Sequence, residues 1–370
     1  MSPNWTCLAF ETTTGRIVAE LDTVGAPQFT AGVNEPGSLQ ATIPVAHLAE
    51  AERDRVRGLL GHPRISLAWC YGDWVAQAGP MWTHRVAGSN VVVGASGLWK
   101  LLAERAILPA SYASVTDPSA DSTFGPAALG TVAADIVRAN LARRGGALPI
   151  VFPARLPGEH TRSYRGYELR SVGEALRTIT AEEFGPDIEF RPRLRADRIA
   201  IEWVMRIGAP YLGGEGAPPA WDYGTGLAEV AVDSDATNQA SRTWVRGDGW
   251  ERGSLIGLHR DDTLTDRGWP LVDHIVTEHT SVRELSTLDR LARSYSALYR
   301  RPIELWSARV NVPAGGVSHH QLAPGFTAVF GITDHPWIPA GQYTRRVIGI
   351  GAATNPTDLA LTIEATPAER

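Results

Sequence analysis

The sequence predicts an α+β fold that is mostly antiparallel β: a small barrel or sandwich first, a mixed α/β middle, and a second barrel interrupted by an excursion into that middle domain. Three observations point there. Short alternating runs recur toward both ends of the chain, separated by turn residues at roughly 8–12-residue spacing. Helical periodicity concentrates in the middle. The 37 Gly and 25 Pro are spread without a period, as many tight turns require and as a collagen-like chain would not show.

Residues 5–10 and 15–21 flank a polar Glu-Thr-Thr-Thr turn and read as a hairpin. Val45, Leu48, Ala49, Glu52, Val56, Leu59 and Leu60 fall at helical spacing, and Pro63 stops that helix. Strict alternation follows, with Ile65, Leu67, Trp69 and Tyr71 on one face. Gly72-Asp73 turns the chain into a strand over 74–78, Gly79-Pro80 breaks or bends it, and 91–93 is another strand. A short helix over 97–105 closes this unit. In the middle, 111–126 reads as a loop and 131–144 as a helix. Ser171 and Glu174 form a capping box that opens a further helix, and strands follow over 188–192 and 199–207. Strands over 227–232, 242–246 and 255–259 precede a second helical stretch. Ser281–Glu284 and Ser286–Asp289 are its candidate caps, and Leu288, Leu291, Tyr295 and Leu298 form one stripe that Arg301-Pro302 ends. Strands over 303–310, 326–332, 344–350 and 359–364 complete the chain, the last two pairing with each other. The expected domains are a first barrel over 1–108, a mixed domain over 109–222 and 262–301, a second barrel over 223–261 and 302–366, and a tail over 367–370.

Composition excludes several classes. The net charge of −5 gives no overall basic footprint for nucleic acid. No apolar run is long enough to span a membrane, and the N-terminus lacks the basic and apolar regions of a secretory signal. Cys7 and Cys70 cannot build a disulfide framework or a four-thiolate zinc site. Two reduced, buried thiols in a reducing cytoplasm are favoured over a Cys7–Cys70 bridge. Lys100 is the one lysine among 35 basic residues, a bias that GC-rich codon usage explains.

The search for reactive groups finds no coherent centre, and the sequence assigns no catalytic, cofactor-binding or metal residues. There is no phosphate loop and no GxSxG. The Gly-rich stretch at 213–216 leads into Pro218-Pro219 rather than a helix and reads as a linker. His274 and His279 are five apart, which misses the i,i+4 facing of a helical zinc motif, and the His319-His320 doublet points to opposite faces if extended. Asp233/Asp235 and Asp261/Asp262 could supply paired carboxylates, or calcium ligands at 233/235, but the first pair reads as polar-turn chemistry. The 12 Trp suggest sugar-stacking platforms; core or subunit-interface packing is favoured.

The order of motifs carries a resemblance. The run 65–71, Gly72-Asp73, 74–78 and Gly79-Pro80 continues as Val91 to Gly94 and then Gly97, Leu98, Trp99, Leu101, Leu102 and Arg105. Leu148-Pro149-Ile150, the stretch 164–169, Ile201-Glu202-Trp203 and Gly268-Trp269-Pro270 up to Asp273 follow. Nearly the whole chain resembles the minor tail proteins of long-tailed bacteriophages of GC-rich, Gram-positive hosts, in the hub-like family related to contractile-tail baseplate hubs. Gly79, Pro80, Trp99, Trp203, Gly268, Trp269 and Pro270 are its signature positions here. The resemblance implies a non-enzymatic virion protein without cofactors: a homotrimeric tail-tip hub assembled in the host cytoplasm. Two barrels in each of three chains give six ring positions, letting a threefold tip dock on a sixfold tube. Implied partners are distal tail, tape-measure, other minor tail and fibre or spike proteins, with phage DNA passing without specific binding. The chain ends at Arg370, soon after its last strand, so no receptor-binding or lytic appendage is expected. The alternative is a carbohydrate-binding or cell-wall glycan-hydrolysing protein, and a third reading is a plain cytoplasmic β-rich enzyme.

Overall fold

A computed structural model describes residues 4–182, 184–214, 216–355 and 357–367. The fold is α+β and mostly antiparallel β. It divides into two compact units: one runs to Glu229 and resumes over Ala308–Thr362, and the other comprises Val230–Ser307 and the C-terminal stretch from Ile363.

The first unit begins with β1 (Trp5–Glu11), β2 (Ile17–Leu21), β3 (Gln28–Gly32), β4 (Ser38–Pro44), α1 (Glu50–Leu59), β5 (Ile65–Tyr71), β6 (Trp74–Ala87), β7 (Asn90–Ser96) and α2 (Leu98–Ala103). The sheet order is β3-β4-β7-β6-β5-β1-β2. Gly79-Pro80 bends β6 without ending it. Its first half pairs with β5, and from Met81 onward it pairs with β7. The expected one-sided alternation of β5 differs, because its first six residues are buried on both faces. Trp69 donates to Gln40 O at 2.9 Å on one side, while Ala68 and Cys70 join the core of the middle domain on the other. Strands β3 and β4 were not expected. Their period-2 pattern buries Phe29 and Ala31 on β3 and Leu39, Ala41 and Ile43 on β4, with Gln28, Thr30, Ser38 and Gln40 facing out. The helix expected near 45–60 forms as α1, but it buries no residue. Its Arg57 pairs with Glu50 and Asp54 instead, as suits a surface connection.

The middle domain contains β8 (Ser122–Ala127), α3 (Leu129–Leu141), β9 (Ile150–Val151), β10 (His160–Tyr164), α4 (Val172–Thr180), β11 (Ile188–Leu194) and β12 (Ile201–Ile207). β11 and β12 form an antiparallel hairpin, with β9 parallel to β12. At the start of α4, Ser171 accepts from Glu174 N at 3.1 Å. The Glu174 side chain turns to Arg170 instead of closing the box, so half of the expected motif forms.

The second barrel is a closed ring of six strands. Its members are β13 (Ala220–Tyr223), β14 (Gly226–Asp235) and four strands numbered here in chain order: β18 (Ile303–Asn311), β19 (Thr327–Ile332), β20 (Gly341–Ala352) and β21 (Asp358–Ile363). The order is β19-β13-β14-β18-β21-β20, and β20 pairs back onto β19. Trp221 fills its interior, donating to Asn311 O at 2.8 Å and stacking on Phe330. β20 also pairs with β3 through Gly349–Gly32 and Ile350–Ala31.

The second unit contains β15 (Arg242–Arg246), β16 (Ile256–Arg260), α5 (Thr263–Asp266), β17 (Asp273–Val276) and α6 (Leu285–Tyr299). Its sheet order is β16-β15-β17. This corrects the expected boundaries. Residues 242–260, assigned to the second barrel, and 262–301, assigned to the middle domain, form one small α/β layer. The reason is local packing: Leu288 and Ala292 of α6 bury against Val245 and Val276. Gly257 makes this possible, because a Cβ there would meet the Leu288 backbone. α6 begins after Glu284, with no side-chain cap from the predicted serines.

Candidate assembly surfaces

Four signature positions converge where the β1/β5/β6 sheet meets the middle domain. Trp203 on β12 is fully buried. Its Nε1 donates to Ala78 O at 3.3 Å, and its ring lies 5.5 Å from Phe10. Trp99 on α2 donates to Gly173 O at 3.2 Å and meets Phe190 edge-on at 6.2 Å. Beside them, Gly79 lies so close to the Ser96 carbonyl that a Cβ would collide with it. Pro80 is buried at the bend of β6. These contacts make an apolar, keyed joint. Gly268, Trp269 and Pro270 are not part of it: they lie exposed after α5 in the second unit, Gly268 at φ +89°.

A second joint, polar and buried, was not foreseen. Glu189 on β11 pairs with Arg206 on β12, and Arg206 also donates to Gly213 O at 3.0 Å and Pro324 O at 3.3 Å. Burial pushes the Glu189 carboxyl up, against the opposing pull of Arg206 and Arg191. Asp187, ahead of β11, pairs with Arg346 on β20 and accepts from Leu212 N at 2.8 Å. Nothing short-range signals this. Asp187 and Arg346 stand 159 residues apart.

His319 makes a third contact. It is buried between Tyr71 (4.5 Å) and Trp74 (5.2 Å), and burial, then the neighbouring His320, lowers its pKa to about 4.

Of the candidate carboxylates, Asp233 and Asp235 lie exposed on one face of β14, and Asp261 and Asp262 follow β16. Asp235 is held low by hydrogen bonds from Thr237, and Asp261 by Thr263. His274 rests on Tyr299 at 4.4 Å, while His279 bonds Tyr295 Oη at 3.1 Å. Among the described residues no cluster of three or more His, Cys, Asp or Glu side chains is placed to hold a metal. Cys7 opposes Trp69 and Cys70 opposes Thr6 across β1 and β5, so the two free thiols point to opposite faces. Burial raises both, Cys70 to about 12. A groove of about 670 Å³ crosses the outer face of β3, β4, β7 and β6. Gln28, Thr30, Ser38, Gln40, Trp82 and Thr83 are among its lining residues, none of which is titratable. Of the tryptophans, Trp69, Trp74, Trp99, Trp203, Trp221 and Trp306 are buried, while Trp250, Trp269 and Trp337 stand exposed. No helix among the described residues is long and apolar enough to cross a membrane.

This architecture has solved counterparts. A 43 kDa tail protein from prophage MuSo2 of Shewanella oneidensis matches with a TM-score of 0.59, covering 98% of each chain at 9% identity. The fold is that of phage tail proteins. A tail protein from Neisseria meningitidis shares it (TM-score 0.54, 13% identity, 97% of this chain and 96% of that one). So does a chain of a PdpA–VgrG complex (TM-score 0.52, 8% identity), 65% of which is covered by 99% of this chain. No family model matches the sequence, and no curated protein matches it. The tail-protein fold is therefore legible in the backbone at identities where sequence comparison finds nothing.

Proposed function

We propose that the chain is a non-enzymatic structural protein of a phage tail tip: a hub of which three copies form a ring. The observation that carries this reading is the end-to-end correspondence with two tail proteins, which includes the inserted domain as well as the barrel. The six-stranded barrel and the bent β1–β7 sheet, linked through β3 and β20, supply two β units per chain. Three chains then present six positions to a sixfold tube. The ring joins the tube, with its tape-measure and distal tail proteins, to other minor tail, fibre or spike proteins, and phage DNA passes through it. Gly79, Pro80, Trp99 and Trp203 hold the middle domain on the bent β1–β7 sheet, and Gly268, Trp269 and Pro270 supply exposed contact surface. The arginine bias accords with a phage of a GC-rich, Gram-positive host, assembled in that host's cytoplasm and carried in the virion.

Imaging of the tail tip is the test. Three copies around the tail axis are expected. Any other copy number, or absence from the particle, overturns the hub. The rival reading, glycan hydrolysis by Asp233 and Asp235, predicts activity on cell-wall glycan that Asp233→Asn with Asp235→Asn removes. An inactive unaltered protein ends it.

A further inference from the structure

The small sheet of the second unit has one covered face and one bare face. Thr243, Val245 and Val276 face α6. Alternation turns Arg242, Trp244 and Arg246 the other way. Register places Arg260 opposite Arg242, Leu258 opposite Trp244 and Ile256 opposite Arg246 on β16, with Ile275 beside Trp244 on β17. The bare face is thus an apolar band, Leu258–Trp244–Ile275, running across the strands, with Arg242 and Arg260 on one side of it and Arg246 on the other. Ile275 is 66% exposed and Ile256 50%, where the same sheet's inner residues are buried.

The charges are free. Among the described residues, Arg242, Arg246 and Arg260 make no ion pair and no side-chain hydrogen bond, and Nε of Arg242 is buried without a partner. The acid on the face, Asp273, accepts from Trp244 Nε1 at 2.7 Å and so fixes the indole. Side chains two residues away along a strand lie about 7 Å off, so the arginines stand roughly 7 Å to either side of the band. An α-helix about 10 Å across laid along the band would place its flanking side chains over them.

We propose that this face docks an acidic amphipathic helix of a partner protein, with a leucine-like stripe on Leu258, Trp244 and Ile275 and carboxylates on the flanking arginines. Complementarity favours a protein over a nucleic acid. A single-stranded nucleic acid wants several stacking rings, whereas this face offers one, pinned by a carboxylate that repels phosphate. The proposal does not depend on the hub reading, since it concerns this face alone.

The test uses the full chain and an 18-residue synthetic helix with leucine at helical spacing flanked by glutamate. A glutamine-for-glutamate version and a dT12 oligonucleotide serve as the other arms. Binding is read by calorimetry at about 50 and 500 mM salt. The glutamate helix should bind, more weakly at high salt, and the glutamine helix at least about tenfold more weakly. Arg242→Glu with Arg246→Glu, and separately Ile275→Ser, should each weaken it by about tenfold or more. Both change outward-facing residues, and an unaltered thermal midpoint verifies that folding is kept. No binding of the glutamate helix, binding unmoved by both variants, or preferential binding of dT12 overturns the proposal.

Discussion

The two faces of one hairpin, β11–β12, make opposite kinds of joint. On one face Ile201, Trp203, Met205, Phe190 and Ile188 enter an apolar core shared with β1, β5, β6 and α2. On the other, Glu189 with Arg206 and Arg193 with Glu202 form ion pairs. Arg191 reaches His320 O there at 2.6 Å. Period-2 alternation alone sorts the residues between the two faces. The apolar face gains from area removed from water and is indifferent to partner identity. The polar face loses desolvation free energy and recovers it only if each group finds its particular partner. The first kind of joint supplies strength and the second supplies register.

Damage to the apolar face should therefore cost most. Trp203→Ala removes a fully buried indole and its bond to Ala78 O, and should destabilise the chain by about 3–5 kcal/mol. Denaturant unfolding followed by tryptophan fluorescence measures this. A loss below about 1 kcal/mol would mean that the joint relaxes around the cavity. On the polar face, Arg206→Met leaves Glu189 buried without its cation and should cost about 3 kcal/mol. Adding Glu189→Leu should restore most of that loss, because the pair as a whole contributes little beyond an apolar substitute. A double variant no better than the single would show that the pair itself stabilises the joint.

The same contrast explains what the sequence discloses. Trp203 and Trp99 lie in apolar periodicity, and Gly79-Pro80 marks a bend, so the apolar joint is readable from short windows. Glu189, Arg191 and Arg193 alternate like a solvated strand face, because their partners come from elsewhere in the chain; His320 is 129 residues from Arg191. The second unit was misassigned for a related reason. Its strands have the pattern of barrel strands, and only the packing of Leu288 on Gly257 separates them from the second barrel. β3 and β4 were missed although Phe29, Leu39 and Ile43 alternate with polar residues, because each run is short and a small Ala31 or Ala41 interrupts its large apolar positions.

The third contact sharpens the comparison through pH. His319 sits between Tyr71 and Trp74, with His320 next to it in the chain. Its folded pKa of about 4 lies below the 6.5 of an ordinary histidine, so the unfolded chain binds the proton more readily. Stability from this group is present above about pH 6.5 and is lost as pH falls toward 4. The loss should be about 1–3 kcal/mol, and His319→Leu should flatten the slope across that window. An unchanged slope would show that His319 does not carry the acid sensitivity in this window.

The smallest effect returns to the apolar joint. Trp99 donates to the carbonyl of Gly173 in the first turn of α4, and that turn is organised by Ser171, which accepts from Glu174 N. Ser171→Ala removes the cap and should cost about 1 kcal/mol. Glu174, engaged with Arg170, does not close the box to compensate. If the cap serves only its own helix, Ser171→Ala and Trp99→Phe, which deletes the indole donor, should add. If it also positions the Gly173 carbonyl for Trp99, their combined cost should fall short of the sum by about 0.5 kcal/mol or more. A double-mutant cycle in urea reads the difference, and strict additivity would confine the cap to the helix end.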